Sequence, residues 1–277
     1  MRTVRLPGGE MVPALGLGTW KMGERGANRQ AEAAALKLGL ELGLRLVDTA
    51  EMYADGGAEE VVAEAVAGQR DSVFIVSKVY PHNAGRESAV AACERSLQRL
   101  RTDRIDLYLL HWRGSIALRE TVEALVGLRQ AGKIRYFGVS NFDTSDMAEL
   151  WRVPGGENCA SNQVLYNLAR RGIEHDLVPW CAKHQVPIMA YTPLEPDRLA
   201  RHKTLQAVGK RHGAAPLQVA LAWLLTKPQV ISIPKAGMLE HVRLNRAAHD
   251  LVLTPEDLAE LDRAFPPPKS RRPLEML

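Results

Sequence analysis

Asp48, Tyr53, Lys78 and His111 are the residues of this sequence whose types and order suggest chemistry. Tyr53 follows Asp48 closely, in the stretch Thr49-Ala-Glu-Met-Tyr53. An ordinary tyrosine, with a pKa of about 10, is a poor acid near neutrality. An ammonium beside it favours the phenolate and lowers that pKa. Lys78 would therefore tune Tyr53, and Asp48 would keep Lys78 charged and aimed. His111 adds a hydrogen-bond donor for a carbonyl oxygen. Together they make a general acid with an oxyanion-type donor and no nucleophile.

Other chemistries suit the residues less well. The 8 histidines form no HxH or HExxH, which argues against a metal-dependent hydrolase and for no metal site. No GxSxG is present, which argues against a serine-nucleophile elbow. A Schiff base on Lys78 is a second option. The neighbouring Asp48 and Tyr53 favour a lysine that assists an acid. Cys93, Cys159 and Cys181 are widely separated and form no CxxC, so they read as structural residues of a reducing cytoplasm.

The elements that must hold these groups are short apolar strands alternating with amphipathic helices. Strands are expected at Leu15–Gly18, Arg45–Val47, Val73–Ser77, Ile105–Leu110, Ile134–Val139, Ala160–Gln163, Pro187–Ala190 and Val230–Ile233. Helices are expected at Gln30–Leu42, Ala58–Ala67, Glu87–Leu100, Leu118–Ala131, Ser145–Trp151, Ile173–His184, Thr204–His212, Pro216–Thr226, His241–Ala248 and Pro255–Ala264. Thr254 is the expected cap of the last, with Pro255 at its first position. This alternation is the arithmetic of a (β/α)8 TIM barrel, α/β in class, with extra C-terminal helices. Residues 1–12 read as a β-hairpin turning at Pro7-Gly8-Gly9. A doubly wound sheet is the alternative, but its GxGxxG is missing: Gly16-Leu-Gly18-Thr-Trp-Lys21 lacks the third glycine. No linker divides residues 1–277, so a single domain is expected.

In such barrels the site lies at the C-terminal ends of the strands. The residues there are Thr19 and Trp20, Asp48, Lys78, His111, Ser140 and Asn141, Gln163, Tyr191 and Thr192, and Lys235. Each alone has a bland explanation as a cap or a satisfied core group. A polar or aromatic residue at all eight ends is hard to explain that way.

The chain has 277 residues, 46% hydrophobic and 25% charged, which excludes a disordered or fibrous protein. No apolar run is long enough for a membrane span, and no signal peptide opens the chain. The net charge of +4 is spread along the sequence, arguing against nucleic acid as a partner. Its densest basic cluster, Lys269, Arg271 and Arg272, reads as a solvated tail.

The segments Asp48-Thr-Ala-Glu-Met-Tyr53, Val76-Ser-Lys78, Asp106-Leu-Tyr-Leu-Leu-His111, Gly138-Val-Ser-Asn-Phe142, Asn162-Gln163 and Ile233-Pro-Lys235 resemble the signature segments of the aldo-keto reductases. They run in order from Leu15 to about Asn245 and are jointly specific. Asp48-Thr-Ala-Glu-Met-Tyr-Ala-Asp-Gly-Gly57 and Leu109-Leu-His-Trp112 resemble short bacterial members that reduce methylglyoxal and related dicarbonyls. The resemblance implies an NADPH-dependent reductase, with NADH held more weakly. Tyr53 would protonate the carbonyl oxygen, Lys78 and Asp48 would tune it, and His111 would orient the carbonyl. Ser140, Asn141 and Gln163 would hold the nicotinamide carboxamide, and Tyr191 would stack on the ring. Gly18, Thr19 and Trp20 would line the cofactor channel, completed by Thr192, Pro193, Leu194 and Ile233. Lys235 would contact the 2′-phosphate and Asn245 the adenine. Trp20, Tyr80, His111 and Trp112 would wall the substrate. Ala236 and His241 stand where many NADPH-dependent members carry Ser and Arg, which weakens the grip on the phosphate. Arg243 lies two residues beyond. A monomeric enzyme acting on small carbonyls is expected; a cofactor-binding regulatory subunit with little turnover is the alternative.

Overall fold

The computed structural model describes all 277 residues. Strands β1 (Thr3–Arg5) and β2 (Met11–Pro13) form an antiparallel hairpin. Its turn closes through Leu6 N–H to Glu10 O at 2.9 Å and Gly9 N–H to Leu6 O at 2.8 Å. Strands β3 (Leu17–Gly18), β4 (Leu46–Asp48), β5 (Phe74–Val79), β6 (Ile105–Leu110), β7 (Ile134–Ser140), β8 (Asn162–Leu165), β9 (Ile188–Tyr191) and β10 (Val230–Ser232) pair in chain order, each parallel to the next. Parallel bridges Leu15–Ser232 and Gly18–Lys235 join the first strand to the last and close the barrel. Gly18 is glycine for this reason: a Cβ there would stand 2.6 Å from the carbonyl oxygen of Ile233.

The strands are buried along most of their length because both surfaces of the sheet are covered. Outside it lie α1 (Arg29–Glu41), α2 (Gly57–Val66), α3 (Arg86–Leu100), α4 (Leu118–Gln130), α5 (Thr144–Leu150) and α6 (Leu177–Lys183). Between β9 and β10 run α7 (Pro196–Leu199), α8 (Lys203–His212) and α9 (Pro216–Thr226), and α10 (Leu239–Ala248) and α11 (Pro255–Ala264) follow. Thr254 caps α11, accepting from Asp257 N–H, with Pro255 at the first position, as the sequence indicates. No helix is long and apolar enough to cross a membrane.

One expected helix is corrected. The helix expected over Ile173–His184 is broken into a 3-10 turn at Gly172–Glu174 and α6. Pro179 has no N–H to continue a helix from below, and Asp176 instead caps a fresh start at Leu177. After β9, Pro196 opens the short helix α7, to which no expected helix corresponds.

The hairpin sits at the N-terminal end of the strands. Glu10 pairs with Arg135 at 2.6 Å, and Gly8 lies against the ring of Tyr136, both at the start of β7. The opposite end of the barrel is left for the polar strand termini.

Candidate active site

Four neighbouring strands deliver the central residues. Asp48 ends β4, Lys78 lies within β5 facing inward, His111 follows β6, and Ser140 ends β7. Tyr53 stands on the turn after β4. Lys78 is 0% exposed, and its ammonium donates to Asp48 Oδ2 at 2.8 Å, Thr49 O at 2.8 Å and Tyr53 Oη at 3.1 Å. An ammonium has three donors and no acceptor, so these partners saturate it. Burial pushes Lys78 toward neutrality, but Asp48 and the Tyr53 oxygen outweigh it and hold the ammonium above its ordinary range. Burial pushes Asp48 upward, against the pull of Lys78 and of Gln163, whose amide nitrogen donates to Asp48 Oδ1 at 2.7 Å. Removing either partner would strand a buried charge, at a cost of about 3–5 kcal/mol.

Tyr53 corrects the expected direction of its acidity. Burial raises its pKa and outweighs the lowering by Lys78, with Asp48 adding a smaller upward push. The phenol thus keeps its proton. Lys78 occupies the phenol oxygen as a donor, so the Tyr53 O–H is left to donate elsewhere. The Tyr53 ring makes edge contacts with Trp20, at 4.9 Å between centroids, and with His111, at 5.8 Å. Burial, and secondarily Lys78, push His111 down to about 2, so its imidazole is neutral. Its Nδ1 is buried without a hydrogen-bond partner.

Trp20 is 49% exposed, and Tyr80 and Trp112 meet edge to face at 5.9 Å, with Trp112 tilted against His111 at 4.9 Å. These aromatic faces border the phenol and the imidazole. Beside them a second polar group bonds to itself. Ser140 Oγ donates to Gln163 O at 2.9 Å, Asn141 Nδ2 donates to His111 O at 3.2 Å, and Tyr191 Oη donates to Asn141 Oδ1 at 3.0 Å. Asn141 and Thr192 have positive φ, 59° and 45°, which turns the chain sharply at the ends of β7 and β9.

Several expected ligand contacts are already committed within the protein. The Thr19 hydroxyl donates to Asp48 O at 2.9 Å, tying β3 to β4. Gln163 is interior to β8, paired in register with Met189, and its amide nitrogen serves Asp48. Gly18 answers to barrel closure. Ile233 and Ala236 belong to the hydrophobic core, Pro193 is buried and Leu194 half-buried. Lys235, His241 and Arg243 are exposed beyond β10, with Asn245 half-buried on α10. The tail is not merely solvated: Arg271 pairs with Asp143 at 3.4 Å and Asp176 at 3.2 Å, and Glu275 pairs with Arg170 at 2.7 Å. Its last residue donates to Tyr191 Oη at 3.4 Å.

Sequence reasoning missed two carboxylates. Glu51 is buried and accepts from Tyr80 N–H at 2.7 Å and Asn83 Nδ2 at 3.1 Å, joining the turn of Tyr53 to the loop of Tyr80. Glu59, on α2, is fully buried and bonded to Ser77 and Arg99. Neither has a recognisable local spacing; only an acidic residue inside an apolar helix face hints at Glu59. The turn they flank is strained. Ala54 (φ 51°) and Asp55 (φ 52°) are both left-handed without being glycine, which costs about 1–2 kcal/mol each.

A closed parallel barrel with an Asp–Lys–Tyr–His cluster at the C-terminal ends of its strands defines an oxidoreductase-type site without a nucleophile. A sequence model described as "Aldo/keto reductase family" matches residues 14–265, and the chain belongs to that family. The chain is 51% identical over 281 aligned positions to methylglyoxal reductase YeaE of Escherichia coli K12, covering 100% of this chain and 99% of that protein. It is 32% identical over 260 positions to the glyoxal reductase of Bacillus subtilis, covering 94% and 91%. An aldo/keto reductase from Klebsiella pneumoniae, solved in complex with NADP and acetate, superposes with a TM-score of 0.97 at 55% identity, covering 99% of each chain.

Proposed function

We propose that this chain is an NADPH-dependent reductase of aldehydes and reactive dicarbonyls such as methylglyoxal. The observation that carries the proposal is the saturated Lys78 ammonium, which donates into the oxygen of a protonated, buried Tyr53. Bound NADPH supplies a hydride to the carbonyl carbon. Tyr53 gives its proton to the carbonyl oxygen, and the phenolate left behind is stabilised at once by Lys78. Tyr53 regains a proton from solvent. Neutral His111 orients the carbonyl. The same geometry disfavours a Schiff base, because Lys78 has no lone pair to offer while its three partners hold it.

The donors and acceptors at the ends of β7 to β9 suit a carboxamide: Ser140, Asn141 and the amide oxygen of Gln163, whose nitrogen serves Asp48, would hold it, and Tyr191 would stack on the ring. Lys235 would meet the 2′-phosphate and Asn245 the adenine. NADH, lacking that phosphate, would bind more weakly. The relatives named for methylglyoxal and glyoxal support the substrate class, and the neighbour complexed with NADP supports the cofactor. We read residues 1–277 as one domain, a cytoplasmic monomer with no nucleic-acid partner.

Trp20, Tyr80 and Trp112 would form the substrate wall, with Trp20 half in solvent. Such a wall encloses little apolar area, which at about 25 cal/mol per Å² gives a large ketone little grip. NADPH oxidation should therefore proceed with higher kcat/KM for methylglyoxal, glyoxals and nitrobenzaldehydes than for steroids or simple ketones. Absence of oxidation with every aldehyde would favour a cofactor-binding subunit. A steroid outranking all dicarbonyls would reject the open wall.

A further inference from the structure

Behind the site, on the outer side of β5, a second charged pair is built into the structure. Glu59 is fully buried, its Oε1 accepting from Ser77 Oγ at 2.6 Å and its Oε2 from Arg99 Nε at 2.6 Å. Arg99 also donates to Ser96 Oγ at 3.2 Å. Ser77 immediately precedes Lys78, so the two point to opposite faces of the strand. The Arg99 side chain lies across Gly56, where a Cβ would come within 2.3 Å of its Nε; Gly56, with φ of 91°, ends the strained turn that starts at Tyr53. One ion pair thus touches both the strand that carries Lys78 and the turn that carries Tyr53, without touching the mouth. Apolar packing often joins two helices as well as a buried ion pair does, so stability alone gives no reason for a charged pair between α2 and α3.

We propose that Glu59 and Arg99 form a positioning unit that fixes the Lys78–Tyr53 hydrogen bond. Glu59 anchors β5 through Ser77, and Arg99 clamps the backbone of a turn that would otherwise relax from its left-handed residues. The pair acts through Tyr53, so the inference rests on the reading of Tyr53 as the acid.

The test is the single-turnover rate of NADPH oxidation with methylglyoxal, in Arg99→Ala, Arg99→Lys, Ser77→Ala and Tyr53→Phe, with thermal melting as a check on folding. Arg99→Ala should slow the step about 10–50-fold, as expected for a small misplacement of a catalytic group, with KM for both substrates changed less than twofold. Arg99→Lys should recover most of that rate. Ser77→Ala strands no charge and should slow the step about 3–10-fold, which keeps the test open if Arg99→Ala does not fold. In a Tyr53→Phe background, Arg99→Ala should add nothing further. An unchanged rate in both Arg99→Ala and Ser77→Ala, or a full Arg99→Ala effect persisting without the phenol, would overturn the proposal. Full activity in Tyr53→Phe itself would instead overturn the assignment of the acid.

Discussion

The proton-handling cluster and the segment expected to read the nucleotide phosphate are built in opposite ways. Asp48, Lys78 and Tyr53 are buried and bonded to one another before any ligand arrives. Lys235, His241 and Arg243 are exposed. Charges in the first group are oriented at the expense of folding, so nothing must reorganise when a carbonyl binds. Side chains in the second group, if they take the phosphate as proposed, would have to be ordered at the moment of binding, which subtracts from affinity. Proton-handling residues in this molecule are prearranged, and on the proposed reading cofactor discrimination would be assembled on contact.

The largest expected effect comes from breaking the prearranged side. Tyr53→Phe keeps the ring and its contacts with Trp20 and His111 but removes the proton. Turnover with methylglyoxal should fall about 10²–10⁴-fold, with NADPH affinity little changed. Steady-state kinetics beside a fluorescence titration of NADPH checks both halves; near-normal turnover would remove Tyr53 from its role.

A smaller effect is expected on the assembled side. Lys235→Ala removes one charge-assisted contact, which costs roughly 1.5–3 kcal/mol, or about 10–150-fold in affinity. The low end is expected because Lys235 is exposed and screened. NADPH should weaken and NADH should not. Equal weakening of both in binding titrations would show that Lys235 does not read the 2′-phosphate.

The same division marks what the sequence could reveal. Strand ends, turns and caps are local features, and the closed barrel, its hairpin and the Thr254–Pro255 cap follow from them. Asp48, Lys78 and Tyr53 converge because adjacent parallel strands place their ends together. The direction of the Tyr53 shift was not legible, since it depends on how fully the phenol is buried against the reach of one ammonium. The sequence marks Thr19 and Gln163 as polar strand-end residues for the cofactor, but their bonds to Asp48 belong to barrel closure and register. Glu59 and Arg99 lie forty positions apart on different helices, a separation that no local pattern encodes.

The smallest expected effect is a gain. His241 stands where the family resemblance places an arginine, and it is exposed near Lys235 in sequence, on the helix that starts at Leu239. An imidazole carries no planar fork, whereas a guanidinium presents one that fits a phosphate bidentately. His241→Arg should therefore tighten NADPH. The increment is limited for two reasons: an exposed charge is screened by water, and a long side chain loses rotamer freedom when it docks. Exposed pairs contribute about 0.2–1 kcal/mol, so the gain should be about 1.5–5-fold. NADH has no 2′-phosphate to meet the fork, so its affinity should stay constant. The Kd for NADH divided by the Kd for NADPH is thus the quantity to measure, at low and at high salt. It should rise in the variant at low salt and return toward the parent value as the fork is screened. Tightening of both dinucleotides alike would mean that Arg at this position acts on the shared pyrophosphate or adenine, and the division between a prearranged site and a phosphate-reading arm would have to be redrawn around α10.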